Sequence, residues 1–282
     1  MIRSIWELLR LEHGLMYALG VVVGVVVSSG LDFSLKNLIL GVLTAVFCQA
    51  SAFALNDYLD YEVDLANRRL DRPLVRGELS RRTALILSLA LAPFGLFASY
   101  LISTNAFLLA SIITALGYLY DLKLKEYGIL GNLYIALSMC APFIFGSIVA
   151  TNTITPQIAV LSLIAFLSGV GREVMKGIED VEGDAIRNVR TVARVWGVEG
   201  ASKLSAILFL SAVIMSFYPF LFVEGYRFDL KYLIPVLITD VMLIDVSVEL
   251  LRRHGKEDIR RYRKKTLLAL TVGLVGFLLG AF

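Results

Sequence analysis

Mostly apolar stretches recur along the chain, at about 14–30, 35–55, 83–103, 105–120, 129–150, 157–175, 203–223, 231–250 and 266–282, with polar segments between them. A helix needs roughly 17–25 apolar residues to cross a bilayer, and all but the short fourth stretch meet that length. The pattern predicts an all-α polytopic membrane protein, with nine transmembrane helices around a central cavity. Little chain remains for a soluble domain. Residues 1–282 therefore read as one transmembrane domain, whose functional site must be built from spans and their connecting loops.

Composition agrees with the pattern. The chain is 57% hydrophobic and only 18% charged, with a mean hydropathy of +0.75. A soluble domain is nearer half apolar and a quarter charged. Assigning the polar segments alternately to two sides places 24 of the 27 Lys and Arg residues on one side, leaving Lys36, Arg227 and Lys231 on the other. Basic residues are retained in the cytoplasm, so the N-terminus is expected there. A miscounted span would scramble that division. The first span has Glu7 and Glu12 among the basic residues before it and no small-residue cleavage site, so it is expected to stay as an anchor. The expected location is the cell membrane, multi-pass.

Several chemistries are disfavoured. Cys48 and Cys140 fall inside spans and read as small buried hydrophobes, not as a disulfide or thiolate site. His13 and His254 are the only histidines, too few for a histidine-ligated metal. The net charge of +3 says little, because both signs are concentrated in the same loops, and no nucleic-acid partner is expected.

The unusual polar residues are acidic. "NDYLDYEVD" (56–64) closes the second apolar stretch, and "GREVMKGIEDVEGD" (171–184) closes the sixth. On a helix, residues four apart share a face. Asn56, Asp60 and Asp64 form one row; Arg172, Lys176, Asp180 and Asp184 form another. Like charges at that spacing repel. Within lipid each would cost at least ~2.5–3.5 kcal/mol. They must face water or a polar cavity, where a cation is a natural partner. Oxygen ligands without His or Cys select hard cations, and Mg²⁺ usually takes one or two carboxylates and completes its shell with substrate phosphate. A diphosphate held by Mg²⁺ between two halves of the chain satisfies both motifs. Ordinary interfacial carboxylates balanced by neighbouring arginines are the simpler reading of any single one. The matching settings, four spans apart and each followed by a long polar loop, also suggest a weak internal repeat.

"NDYLDYEVD" resembles the NDxxDxxxD signature of the UbiA superfamily of intramembrane prenyltransferases, and "EDVEGD" resembles its second DxxxD motif. "NRRLDRPLVRG" is similar to the family's loop at Asn67, Arg72, Pro73 and Gly77, and "YDLKLKEYGILGN" to its Tyr/Lys segment before the fifth helix. The likeness spans essentially the whole chain. "REVMKGIEDVEGD" and "VGLVGFLLGAF" are most similar to the archaeal ether-lipid branch. The resemblance implies Mg²⁺-dependent transfer of a prenyl group, geranylgeranyl in that branch, from an allylic diphosphate. The implied acceptor is geranylgeranylglyceryl phosphate, with an aromatic quinone or haem precursor as the alternative and a cation-coupled transporter as a distant one. It further implies membrane lipids as surroundings and an active site toward the cytoplasmic face.

On that resemblance Asn56, Asp60, Asp64, Asp180 and Asp184 hold the metal, and the four aspartates form the catalytic set. Asp57 points about 100° from the Asn56 face and ranks below them. Arg72, Lys123, Arg172, Lys176, Arg10 and Tyr120 are expected around the diphosphate, Arg as a bidentate fork and Lys as a point charge. The family places a Lys four residues after the Tyr, whereas Tyr120 precedes Lys123 by three and Lys125 by five, so either Lys fits. Tyr120 could instead anchor at the interface. Asp240 and Asp245 lie within the eighth apolar stretch, where a hydrogen bond between helices explains them best.

Overall fold

The computed structural model describes residues 1–181 and 189–282, in which the regular structure is helical, without strands. In chain order the helices are α1 Ile2–Leu9, α2 Leu11–Ser29, α3 Leu35–Leu59, α4 Tyr61–Ala66, α5 Arg81–Tyr100 and α6 Thr104–Leu122. They continue with α7 Ile129–Thr151, α8 Pro156–Glu179, α9 Val192–Val195, α10 Gly197–Phe222, α11 Leu230–Leu250 and α12 Lys256–Gly280. Seven of them, α2, α3, α5, α6, α7, α8 and α10, are long and apolar enough to cross a membrane. The protein is an integral membrane protein. Helices α11 and α12 are as long, at 21 and 25 residues, but carry more charge: Lys231, Asp240, Asp245 and Glu249 on α11, and the basic run that opens α12.

Local chemistry sets the boundaries. Ser34, Ser80, Ser103 and Asp229 each accept a backbone N–H one turn or less into the following helix, and Pro156 opens α8 where its missing N–H costs nothing. The differences from the apolar pattern lie at the polar ends. Helices α3 and α8 run beyond the apolar stretches to Leu59 and Glu179, so most of each acidic motif lies on helix. Helix α12 begins at Lys256 instead of near 266. Glu257 and Asp258 in its first turn suit a helix N-terminus, and its basic residues find carboxylates: Arg260 and Arg263 on Glu179, Lys265 on Asp245.

The two halves pack alike. Helix α3 packs mainly on α5 and α2, and α8 on its counterparts α10 and α7. The first helices of the halves, α2 and α7, cross where Gly24 meets Gly146. A Cβ on Gly24 would lie 2.3 Å from the Phe143 carbonyl, and one on Gly146 would lie 2.3 Å from the Val21 carbonyl. Small residues let backbones approach this closely in membranes. Gly146→Val is expected to lower stability by about 1–3 kcal/mol or more, the usual cost of overpacking, read as a lower thermal midpoint in detergent.

Helix α1 lies outside the spans. Ser4, Leu8 and Leu9 face inward, while Ile2 and Trp6 are exposed. Arg76 ties it down through Glu7 and bonds Glu78 at 2.6 Å. Arg76 holds the Glu78 carboxyl down at about 2, and Arg3 together with Arg76 lowers that of Glu7. A carboxyl depressed on folding adds stability above its ordinary pKa and loses it as pH falls through the folded value. In a Trp196→Phe background, Trp6 emission should therefore change as pH falls from about 4 towards 2. Arg76→Gln should abolish that acid step.

Candidate active site at the polar end of the bundle

The two central motif aspartates occupy equivalent backbone positions. Asp60 caps α3 with φ −83° and ψ 1°, and Asp180 caps α8 with φ −94° and ψ 4°. Each donates its N–H to the carbonyl four residues back, Asn56 at 2.9 Å and Lys176 at 3.3 Å. This shared cap relates the two halves more firmly than the sequence likeness of the motifs.

The expected row of Asn56, Asp60 and Asp64 is divided, because the chain bends at Asp60 and each carboxylate takes its own cation. Asp60 pairs with Lys125, while Asp64 lies 3.6 Å from the Arg72 Nε. The Asn56 Nδ2 donates to Asp60 Oδ2 at 3.1 Å and to Asp121 Oδ1 at 3.0 Å. That uses both amide hydrogens and leaves Oδ1 as the ligand atom of this side chain.

Asp57 does point away from Asn56, and there it meets two arginines. Its Oδ1 accepts from Arg10 Nη2 at 2.8 Å and lies 3.5 Å from Arg72 Nη1, with the Asp57 side chain 1% exposed. Arg10 joins α1 to α2 in a left-handed conformation, φ 45°, uncommon for a residue with a side chain. Its guanidinium also lies 4.3 Å over the Phe53 ring. Burial lowers the Arg10 pKa, and the neighbouring Asp57 carboxylate opposes the shift.

Other expected residues stand farther off. Lys123 turns outward to Glu126 at 3.1 Å, so Lys125 is the lysine of this segment that reaches the carboxylates. Its spacing from Tyr120 matters less than the turn Leu124–Glu126 that redirects it. Lys176 is half exposed, 3.7 Å from Glu173, and Asp180 is exposed. Arg172 faces α12, donating Nε to Thr266 Oγ1 at 3.1 Å and Nη2 to the Arg263 carbonyl at 3.5 Å. Its hydrogen bonds therefore go to α12 and not to the α3 carboxylates. Asp184 lies outside the described residues. Tyr120 stacks on Tyr134, 4.8 Å between centroids, beside Asp121.

Asp121 was not singled out in the sequence, although it is buried and bonded to Asn56. Its signal was a carboxylate closing the sixth helix beside Tyr120, but the pairing with Asn56 spans 65 residues. Asp240 behaves as expected, accepting the Ser216 hydroxyl of α10 at 2.8 Å, and Asp245 pairs with Lys265.

Beneath Asn56, Arg10 and Asp121 opens a cavity of about 280 Å³ between α2, α3, α6 and α7. Val21, Thr44 and Phe145 are also in its wall. From Asn56 to Thr44 the α3 wall rises roughly 18 Å. Its lining is mainly apolar, so the cavity suits a hydrocarbon chain whose charged end meets the carboxylates, arginines and lysine above.

Among the described residues no three acidic, His or Cys side chains converge on one point. They are spread among different partners: Asp60 on Lys125, Asp57 on Arg10 and Arg72, Asp64 near Arg72, and Asp121 on Asn56. The donors present are nevertheless oxygens alone, from Asn56, Asp60 and Asp64 with Asp180 across the bundle, and that set fits a hard divalent cation.

The profile of the UbiA prenyltransferase family matches residues 17–279. A digeranylgeranylglyceryl phosphate synthase of Archaeoglobus fulgidus is 56% identical over 281 residues, covering 100% of this chain and 96% of the relative. One from Thermococcus sibiricus is 33% identical, covering 98% and 96%. A solved structure of a digeranylgeranylglyceryl phosphate synthase superposes with a TM-score of 0.89 at 28% identity, covering 99% of this chain and 98% of that one. The fold is also shared, with a TM-score of 0.70 at 21% identity over 97% and 99% of the chains, by a UbiA homologue from Archaeoglobus fulgidus bound to DMAPP and Mg²⁺. A match over nearly the full length, on a chain whose acidic helix ends stand above an apolar groove, leads to one conclusion: this chain belongs to the UbiA prenyltransferase family.

Proposed function

We propose that the protein transfers a geranylgeranyl group from its diphosphate to geranylgeranylglyceryl phosphate, forming an ether bond, with Mg²⁺ as cofactor. The observation that carries this reading is the apolar groove ending directly beneath Asn56, Asp121 and Arg10. It offers a place for a prenyl chain with its diphosphate among the charged groups. Likeness at 56% identity to a digeranylgeranylglyceryl phosphate synthase supports the acceptor.

The architecture behind it is nine membrane-crossing helices, α11 and α12 included, in a single domain over residues 1–282. The bias of Lys and Arg to one set of loops supports an N-terminus and an active site at the cytoplasmic face of the cell membrane. A transporter would hold its ion near the midplane on broken helices, whereas these carboxylates gather at one end.

Asn56 through Oδ1, with Asp60, Asp64, Asp180 and Asp184, would hold Mg²⁺. Held by these residues, Mg²⁺ would supply positive charge to offset that of a departing diphosphate. Arg10, Arg72 and Lys125 present N–H donors to the phosphate oxygens, with Lys123 and Lys176 farther out. Such groups accelerate the reaction because their attraction strengthens as the leaving group gains charge. The groove walls keep water from the allylic cation, and Tyr120 and Tyr134 offer it a π face.

The test is transfer by detergent-purified protein. Labelled geranylgeranyl diphosphate would be supplied with geranylgeranylglyceryl phosphate or with an aromatic acid, in Mg²⁺ or in EDTA. An ether product formed only with Mg²⁺ is expected. Transfer to the aromatic acid alone would move the protein to aromatic prenylation. No diphosphate release with either acceptor would refute the enzyme reading.

A further inference from the structure

A second cavity, of about 270 Å³, lies on the other side of α7, between α8, α10, α11 and α12. Helix α7 divides the two: Ser138 and Pro142 wall the first cavity, Met139 and Phe143 the second. Along α8 the second cavity runs from Leu161 to Arg172, and along α12 from Phe277 to Leu267. Either helix rises roughly 15 Å over that length. The wall is mainly apolar. Its buried acid, Asp240, is 4% exposed and is held by the Ser216 hydroxyl.

Arg172 stands at the end of this groove nearer the acidic motifs, two turns before Asp180 on the same helix. Its hydrogen bonds go to a hydroxyl and a carbonyl, both neutral, on α12. No carboxylate pairs with it among the described residues; the adjacent Glu173 faces Lys176 instead. A partly buried guanidinium whose hydrogen bonds go to neutral groups, and whose neighbour Glu173 is shared with Lys176, can take up an anion, and the groove beside it suits a chain attached to that anion. The first groove also has an arginine in its lining, Arg10, which differs in being paired with Asp57. Two chain-sized grooves therefore flank α7, each with an arginine toward the same end.

A donor chain fills one groove. The proposed reaction joins it to an acceptor that already carries a chain of its own, so two chains must be housed at once. We infer that the second groove holds the hydrocarbon chain of the acceptor, an isoprenoid ether of glycerol phosphate, with Arg172 against its phosphate. This rests on the function proposed above. It assigns Arg172 to the acceptor and leaves Arg10, Arg72 and Lys125 to the donor diphosphate.

The experiment compares acceptors bearing a C20 or a C5 chain on glycerol phosphate, at saturating donor, in wild type, Ala165→Phe and Arg172→Gln. Ala165 lines the second groove, and phenylalanine there fills it. The KM for the C20 acceptor should rise at least about tenfold in Ala165→Phe, since excluding two methylenes from an apolar site costs that much. The KM values for the C5 acceptor and for the donor should stay near wild type. Arg172→Gln should raise KM for both acceptors alike, with partial recovery in Arg172→Lys. Leu270→Trp fills the same groove from α12 and decides the matter if Ala165→Phe does not fold. An unchanged C20 KM in the filled variants, or a raised donor KM, would overturn the inference while wild-type transfer kept the proposed function intact. If wild type transfers to neither glycerol phosphate, both fall together.

Discussion

Asp60→Ala is expected to lower kcat for prenyl transfer by at least about two to three orders of magnitude, the scale seen when a charge-stabilising group is removed. Asp60 stands where three contributions meet: it caps α3, it accepts the Asn56 amide at 3.1 Å, and it pairs with Lys125. Losing the carboxylate would remove an oxygen of the proposed Mg²⁺ site and free Lys125 and Asn56 to drift from their positions. The fold should survive, because the Asp60 side chain is 30% exposed and its cap bond to Asn56 is made by the backbone. A thermal midpoint near wild type with transfer lost is the expected pair of results. Asp60→Asn should retain the shape and still fail, since a neutral amide holds Mg²⁺ poorly. Full activity in either variant would remove Asp60 from the site.

Asp57→Ala should act in the opposite way, through stability. Its carboxylate is the shared partner of Arg10 and Arg72, whose side chains are 16% and 18% exposed. Removing one member of a buried charged cluster typically costs about 3–5 kcal/mol, because the remaining charges are left without compensation. Here two guanidiniums would face each other across the gap. A large fall in the thermal midpoint in detergent is expected. Removing Arg10 as well should recover part of it, a coupling that a double-mutant cycle measures. If Asp57→Ala kept the wild-type midpoint and lost only activity, Asp57 would be a substrate ligand and not the tie between α1, α3 and the loop that carries Arg72.

These two aspartates show how far the sequence could be read. Their different directions followed from helical geometry, because neighbouring residues on a helix diverge by about 100°. Their different partners did not. Arg10 lies 47 residues from Asp57, and Lys125 lies 65 from Asp60, separations that no local spacing encodes. The same limit hid Asp121, which is unremarkable in "YLYDLK" until Asn56 is brought beside it.

The sequence by itself determined the helices. Apolar stretches long enough to span a bilayer leave the backbone no alternative to internal hydrogen bonding, so each reappears as a helix, several of them extended at the polar ends. It also determined which residue types gather at the polar ends, since carboxylates and cations cannot rest against lipid. Only the tertiary structure decided how those groups pair. It sends Asp60 to Lys125 and Asp64 toward Arg72, and the bend at Asp60 aims them. The tertiary structure also turned Arg172 toward α12 and opened separate grooves on either side of α7. Rotation about a helix axis and packing against distant helices set both outcomes, and neither is written in any single stretch of the chain.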